Sequence, residues 1–233
     1  MLPGRVPAGF PAVWDSPGSK KDTGGDYEMD PQVIGNTAAD YPALAREGLT
    51  AIATVSIMTH RDLLFGPAGG VYVRREDSNH QTVNAELILP DGRAGFNVRC
   101  GLEVQGGTSV TDSGNDWKSK KLSLRLMFKG DFGATKLQAK VFPESPVDRF
   151  DTLVLDAGLN LCWHYMPNDT QRRLTIFVRD QYVSDLQQSL GGAAPHGRFV
   201  HLYLNGLYWG VYNLHERPDR KSTRLNSSHR IRS

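Results

Sequence analysis

The chain has 233 residues, 39% of them hydrophobic and 22% charged, with 24 Gly and 13 Pro; this is the balance of a folded protein rich in turns, and it excludes collagen-like and disordered classes. No stretch approaches the run of about 18 apolar residues that a membrane span needs. The net charge of +2 rests on the last thirteen residues, which hold Lys221, Arg224, Arg230 and Arg232 and no acid; the body before them is mildly acidic, which argues against nucleic acid as a partner.

Residues 1–49 are rich in Pro, Gly and Asp, with Pro3, Pro7, Pro11, Pro17 and Pro31 breaking any long element; they read as an irregular leader around a core, with one helix over 40–47. The first ten residues contain no unbroken apolar segment of the signal-peptide kind, and they read as a start inside a longer protein. Residues 50–218 form the main region. A β-branched run over 50–58 is followed by strand patterns over 70–74, 82–89 and 95–105, with Gly, Pro, Asp or Asn at the joins. Leu122, Leu124, Leu126 and Phe128 alternate with Lys121, Ser123, Arg125, Met127 and Lys129, which predicts a half-buried strand over 121–129. Residues 150–155 are a more continuous apolar strand. Leu174, Phe177, Val178, Tyr182, Leu186 and Leu190 recur at helical spacing, which predicts an amphipathic helix started at Asp169 or Thr170 and ended at Gly191-Gly192.

Asn205-Gly206 between alternating runs predicts a type I′ hairpin. If Leu204 pairs with Leu207, one face carries Val200, Leu202, Leu204, Leu207, Trp209 and Val211 as core. The other carries Phe199, His201, Tyr203, Tyr208, Gly210, Tyr212 and Glu216, an aromatic face suited to a second packing layer or a flat ligand.

Cys100 and Cys162 stand far apart, outside any zinc or redox motif, and read as buried thiols whose pairing only geometry can decide. His196, His201 and His215 share no metal-ligand spacing. His60-Arg61-Asp62-Leu63 and Asp131-Phe132-Gly133 spell two words of eukaryotic-type protein kinases, but Pro67 stands where the catalytic loop needs Asn. A turn at Asp62 and a hairpin loop at Asp131 are the expected readings. A strand running into Gly106, Gly107, Thr108 and Ser109, with Lys121 following, has parts that phosphate chemistry can use: glycines admit backbone N–H groups to phosphate oxygens, and an ammonium neutralises charge. An equally simple reading is a plain hairpin loop. Glu216 could orient Lys121 by an ion pair, or stand as a solvated strand-end carboxylate. Paired carboxylates for glycoside hydrolysis remain an open reading, since Asp148, Asp151, Asp156 and Asp169 are unplaced.

From about residue 26 to 218 the chain resembles the CotH kinase family of spore-coat proteins and their bacterial, secreted relatives. The resemblance is carried by Leu64-Phe-Gly-Pro67 with Gly70-Val-Tyr-Val73, the turn over 101–109, Lys121-Leu-Ser123 through Gly130, the stretch 145–155, Arg179-Asp180-Gln181, and His196 through Pro218. It implies an α+β, strand-rich, kinase-like nucleotide-binding lobe with one main amphipathic helix. It also implies ATP and Mg2+ as cofactors and a protein Ser/Thr acceptor as substrate. By the same resemblance Gly106, Gly107, Thr108 and Ser109 lie over phosphates, Lys121 is the nucleotide lysine, and Glu216 is its acidic partner. Gln105-Gly-Gly-Thr-Ser109 departs from the Arg-Gly-Asn-Ser-Ser of many relatives. The family's metal-binding and catalytic Asp residues are expected beyond Glu216.

There, 219–233 reads as a translated sequencing adaptor rather than native protein, because the eleven residues from Asp219 to His229 are what one frame of a common adaptor encodes. The expectation is thus a nucleotide-binding half that is inactive as it stands. The competing expectation is a non-catalytic extracellular β-rich module that binds a glycan or protein through the aromatic hairpin face. Export is implied by resemblance alone.

Overall fold

The structure is a computed structural model that describes residues 6–14, 24–29, 35, 40–73, 79–106, 119–159, 162–163 and 169–217. Gly107, Thr108 and Ser109, Arg74 and the whole of 219–233 lie outside the described residues. Alternating apolar side chains put nine strands in place: β1 (Ala53–Met58), β2 (Gln81–Ile88), β3 (Ala94–Val104), β4 (Leu124–Met127), β5 (Leu137–Gln138), β6 (Arg149–Phe150), β7 (Thr152–Asp156), β8 (Gly197–Leu204) and β9 (Leu207–Glu216). Among the described residues four helices accompany them: α1 (Tyr41–Ala51), α2 (Arg61–Phe65), α3 (Asp169–Arg173) and α4 (Arg179–Ser189). The chain is therefore α+β and strand-rich.

Seven strands close into a barrel in the order β1-β2-β3-β4-β7-β9-β8, with β5 and β6 as a separate pair. All neighbours are antiparallel except β1 and β8, whose parallel pairing (Val55↔Leu202) closes the ring. Closure leaves no unpaired edge in this sheet, and alternation sends every second side chain inward. Val55, Ile57, Leu87, Leu102, Leu124, Leu126, Leu155, Leu202 and Leu214 are fully buried there. The predicted apolar face of 121–129 holds: Leu122, Leu124, Leu126 and Phe128 are all buried, although the strand itself is shorter.

One end of the barrel is filled by rings. Trp14 and Tyr27 of the leader pack with Phe65, Tyr72 and Trp209 at centroid distances of 5.2 to 6.2 Å. Their polar tips are satisfied in pairs, Trp14 Nε1 donating to Tyr27 Oη at 2.7 Å and Trp209 Nε1 to Tyr72 Oη at 2.5 Å. Burial pushes the Tyr27 phenol up to about 12 and that of Tyr72 higher still.

The Asn205-Gly206 hairpin forms as its turn chemistry requires, with φ of +49° and +78° at the two central residues. Asn205 adds a clamp: its Oδ1 accepts from the Thr59 amide at 2.9 Å. Beyond the turn the predicted faces are corrected. Leu202 pairs with Gly210 but Tyr203 with Tyr208, so Trp209 is an extra residue, a β-bulge with φ +134° at Gly210. The bulge inverts the parity of everything after it. Val211 is left 39% exposed while Tyr212 is buried, its hydroxyl donating to the Leu122 carbonyl at 3.1 Å. His201 is covered by α1, with Nε2 donating to the Gly48 carbonyl at 2.7 Å and Nδ1 accepting from Tyr208 Oη at 3.1 Å. The side chains read as one aromatic face are thus divided between core and a helix-covered layer.

Three other expectations need correction. Residues 70–73 are a turn, not a strand, because Gly70 bonds back to Gly66 and Tyr72 to Leu64. The helix predicted over 170–190 is two, α3 and α4, and its apolar stripe faces outward: Leu174, Val178, Tyr182, Leu186 and Leu190 are exposed whereas Gln181 is buried. The reason is on the barrel wall, where Asn213 donates to Gln181 Oε1 at 3.1 Å and so favours the helix's polar side. The first kinase-like word begins a helix rather than a turn, Asp62 lying in α2, and the second forms a turn between β4 and β5, strands that do not pair with each other as a hairpin would. His60 caps α2, and Phe132 and Gly133 both bond back to Lys129, Phe132 packing edge-on against His80. Cys100 and Cys162 are buried free thiols, and burial pushes the Cys100 thiol up to about 12.

Candidate functional site

Where β3 leaves the barrel, the Gln105 amide still donates to the Ser123 carbonyl at 2.8 Å, and Gly106 follows with φ +115°. Backbone of that kind is strained for any residue with a side chain, so glycine fits the turn. Beneath it lies a cleft of about 250 Å³ on the outer wall of the barrel, lined by Gln105, Gly106, Leu122, Ser123, Val154, Asp156, Leu159 and His215. The register brings these together: Val154 pairs with His215, and Leu124 with Leu155, which sets Ser123 beside Asp156.

Asp156 Oδ1 accepts from Ser123 Oγ at 2.8 Å and from the Gly158 amide at 2.7 Å, while the Ala157 amide donates to Ser123 Oγ at 2.9 Å. These bonds hold the end of β7 rigid at the cleft floor. His215 Nδ1 lies 2.7 Å from its neighbour's carbonyl, that of Glu216. A carbonyl can only accept, so Nδ1 carries the proton and, in the neutral ring, Nε2 is an acceptor. Gln105 Oε1 is buried without a hydrogen-bond partner among the described residues. A buried acceptor in that condition costs about 1–3 kcal/mol unless something donates to it.

Of the residues singled out in the sequence, Gly106, Asp156 and His215 stand at this cleft. Lys121 does not reach it. Its side chain turns into the aromatic end of the barrel, where Nζ lies 4.0 Å from the Trp209 ring centre and 5.4 Å from that of Trp14 and donates to the Asp26 carbonyl at 2.5 Å. Burial pulls its pKa down to about 8, against the opposing pull of Asp26. The expected placement of Lys121 on a polar strand face is therefore corrected; it precedes β4 and points inward.

Glu216 is engaged elsewhere. Its carboxylate accepts from Ser145 Oγ at 3.2 Å, from the His196 amide at 3.2 Å and from His196 Nδ1 at 3.3 Å. It ties β9 to the loop before β8 rather than orienting Lys121. Another buried carboxylate was missed: Glu103 on β3 pairs with Arg125 of β4, its register partner, and with His80 Nε2 at 2.5 Å.

Gln105, Ser123, Asp156 and His215 come from four separate stretches, and only the barrel's register makes them neighbours. His196, His201 and His215 each bond within a different part of the fold. Among the described residues no three His, Cys, Asp or Glu side chains converge as metal ligands.

The sequence profile of the CotH kinase protein family matches residues 102–231, from β3 past the end of β9. The chain belongs to the CotH kinase family. The cleft, Lys121, the Glu103–Arg125 pair and the Asn205-Gly206 hairpin of this CotH-family chain all fall within or at the start of the matched range. No curated protein is significantly similar to the chain. No helix among the described residues is long and apolar enough to cross a membrane.

Proposed function

We propose that this chain contributes the strand-rich, nucleotide-holding part of a CotH-type protein kinase, and that the cleft under Gly106 is where it meets ATP. The observation that carries this reading is the coincidence, inside the family match, of a glycine turn with positive φ and a cleft whose Gln105 acceptor has no donor among the described residues. An amino or hydroxyl group of a nucleoside is such a donor. Gly107, Thr108 and Ser109 follow Gly106 in the sequence, and a glycine-rich turn of this composition is of the kind whose amides cradle phosphate oxygens. ATP in turn supplies the transferable phosphoryl group.

The fit to Mg2+ is different. Among the described residues Asp156 is the single carboxylate lining the cleft, and no three ligating side chains gather. The described residues therefore do not make a metal site, and no step of phosphoryl transfer is assigned to them. On this reading, transfer to protein Ser or Thr depends on the carboxylates that the family resemblance places beyond Glu216. Lys121, as the barrel holds it, serves the core rather than a phosphate.

The test is calorimetric titration of ATP and of ADP, each with and without Mg2+, into the wild-type chain and into His215→Ala and Gly106→Val. Binding in the micromolar to millimolar range is expected for wild type. His215→Ala should weaken it by about 10-fold, the loss of one hydrogen-bonding group. No heat up to millimolar nucleotide, or equal affinity in all three proteins, would overturn the assignment of the cleft.

A further inference from the structure

Helix α4 is built the wrong way round for a helix that belongs only to its own barrel. Positions 178, 182, 186 and 190 recur every four residues and, with 183, share one side of it. They are Val178, Tyr182, Leu186, Leu190 and Val183, and each exposes about half or more of its surface, up to 77% at Leu190. The opposite side is polar and turned inward. Gln181 is 8% exposed and bonds to Asn213 of β9 and to Asp185 at 2.6 Å, and Gln188 donates to the Ala194 carbonyl at 3.0 Å. The barrel thus holds the helix by hydrogen bonds and leaves its apolar stripe uncovered.

Five large apolar side chains, each about half or more exposed, leave an apolar surface on the order of a few hundred Å². Leu174 and Ile176, in the turn before α4 and also exposed, extend the patch toward the ~800 Å² per partner of a standard interface. A monomer's largest apolar patch is commonly about 300–600 Å². Residues 218–233 cannot cover such an area, for they hold only two large apolar side chains, Leu225 and Ile231, among four Arg and one Lys.

We propose that a second copy of this chain covers the stripe, the two α4 helices packing antiparallel about a two-fold axis. The stripe is self-complementary in that arrangement. Tyr182 lies against Leu186 of the partner subunit and Val178 against Leu190 of the partner subunit, so large meets medium along the seam. The helix dipoles oppose, and each α4 keeps its polar side on its own barrel. The stripe is on the side of α4 opposite Gln181, which bonds to the barrel, and the proposal does not depend on nucleotide binding.

Sedimentation velocity and equilibrium on the full chain test it, from sub-micromolar to about 100 μM, a range that spans ordinary dimer affinities. A reversible monomer–dimer equilibrium is expected. Tyr182→Asp and Leu186→Asp should each raise the dissociation constant by at least about 30-fold, as for a central interface residue. Val211→Asp, at an exposed apolar site on the barrel, should leave it unchanged. Circular dichroism of the variants establishes that they fold. A wild-type chain that stays monomeric throughout would overturn the proposal. So would open-ended aggregation, a dimer insensitive to both aspartates, or dimerisation seen only after removal of 218–233, which would make that segment the natural cover.

Discussion

Lys121 is the residue whose surroundings were hardest to read from its neighbours. In the sequence it precedes an alternating strand and looks like a cation on a wet face; in the fold it stands before β4, under the rings of Trp14 and Trp209, donating to the Asp26 carbonyl. Leader side chains separated from it by about a hundred positions decide this, and no local pattern announces them. The charge has a consequence for pH. Burial lowers the pKa from 10.5 to about 8, so between those values the unfolded chain binds a proton that the folded chain has released, and stability rises with pH across that window. Below pH 8 the ammonium is charged in both states and its contribution is constant. Lys121→Met should be at least as stable as wild type at pH 7, and its advantage should shrink by on the order of 2 kcal/mol by pH 9.5, a window of about 1.5 units. Urea unfolding of both proteins at the two pH values measures it. An advantage that is the same at both would place the ammonium in solvent.

At the scale of elements, what was legible was what is local. Asn205-Gly206 specified its own turn, and the alternation of Leu122, Leu124, Leu126 and Phe128 gave both a strand and its buried face. What was not legible depends on registry or on orientation. The bulge at Trp209-Gly210 moves Tyr212 into the core and Val211 out of it, because one extra residue reverses every later side chain. Periodicity identified the stripe on α4 but could not tell which side the barrel would hold; that was set by Asn213 and Gln181. Gly210 offers a direct check. A Cβ there meets nothing closer than 3.8 Å, so replacement by Ala costs backbone strain and not a clash. Gly210→Ala should destabilise by about 1–2 kcal/mol in urea, and an unchanged midpoint would mean the bulge does not need its positive φ.

Arg125 sets a second expectation at this scale. It neutralises the fully buried Glu103 from the adjacent strand. Arg125→Met leaves a buried carboxylate with His80 as its one ion-pair partner among the described residues and should cost about 3–5 kcal/mol. The double variant with Glu103→Leu should recover most of that loss, since a buried pair replaced by apolar groups is often neutral. Equal destabilisation of single and double variants would show that Arg125 acts through packing alone.

For the whole molecule, barrel closure explains both the order of the fold and the position of the cleft. Because β1 pairs with β8, the interior is filled by side chains, and ligand space is left on the outer wall, where β4, β7 and β9 bring Ser123, Asp156 and His215 under Gly106. Gly106 was identifiable in the sequence, but its companions became a site only through pairings among three strands distant in the chain. The measurement that tests this most directly is a nitrogen-edited NMR titration of the isotope-labelled chain with ATP. Shift changes should concentrate at Gln105, Gly106, Ser123, Asp156 and His215 and leave Lys121 and the Trp14–Trp209 end unmoved. Changes centred on Lys121 and the leader rings, or none at millimolar ATP, would contradict the assignment of the outer cleft as the nucleotide site.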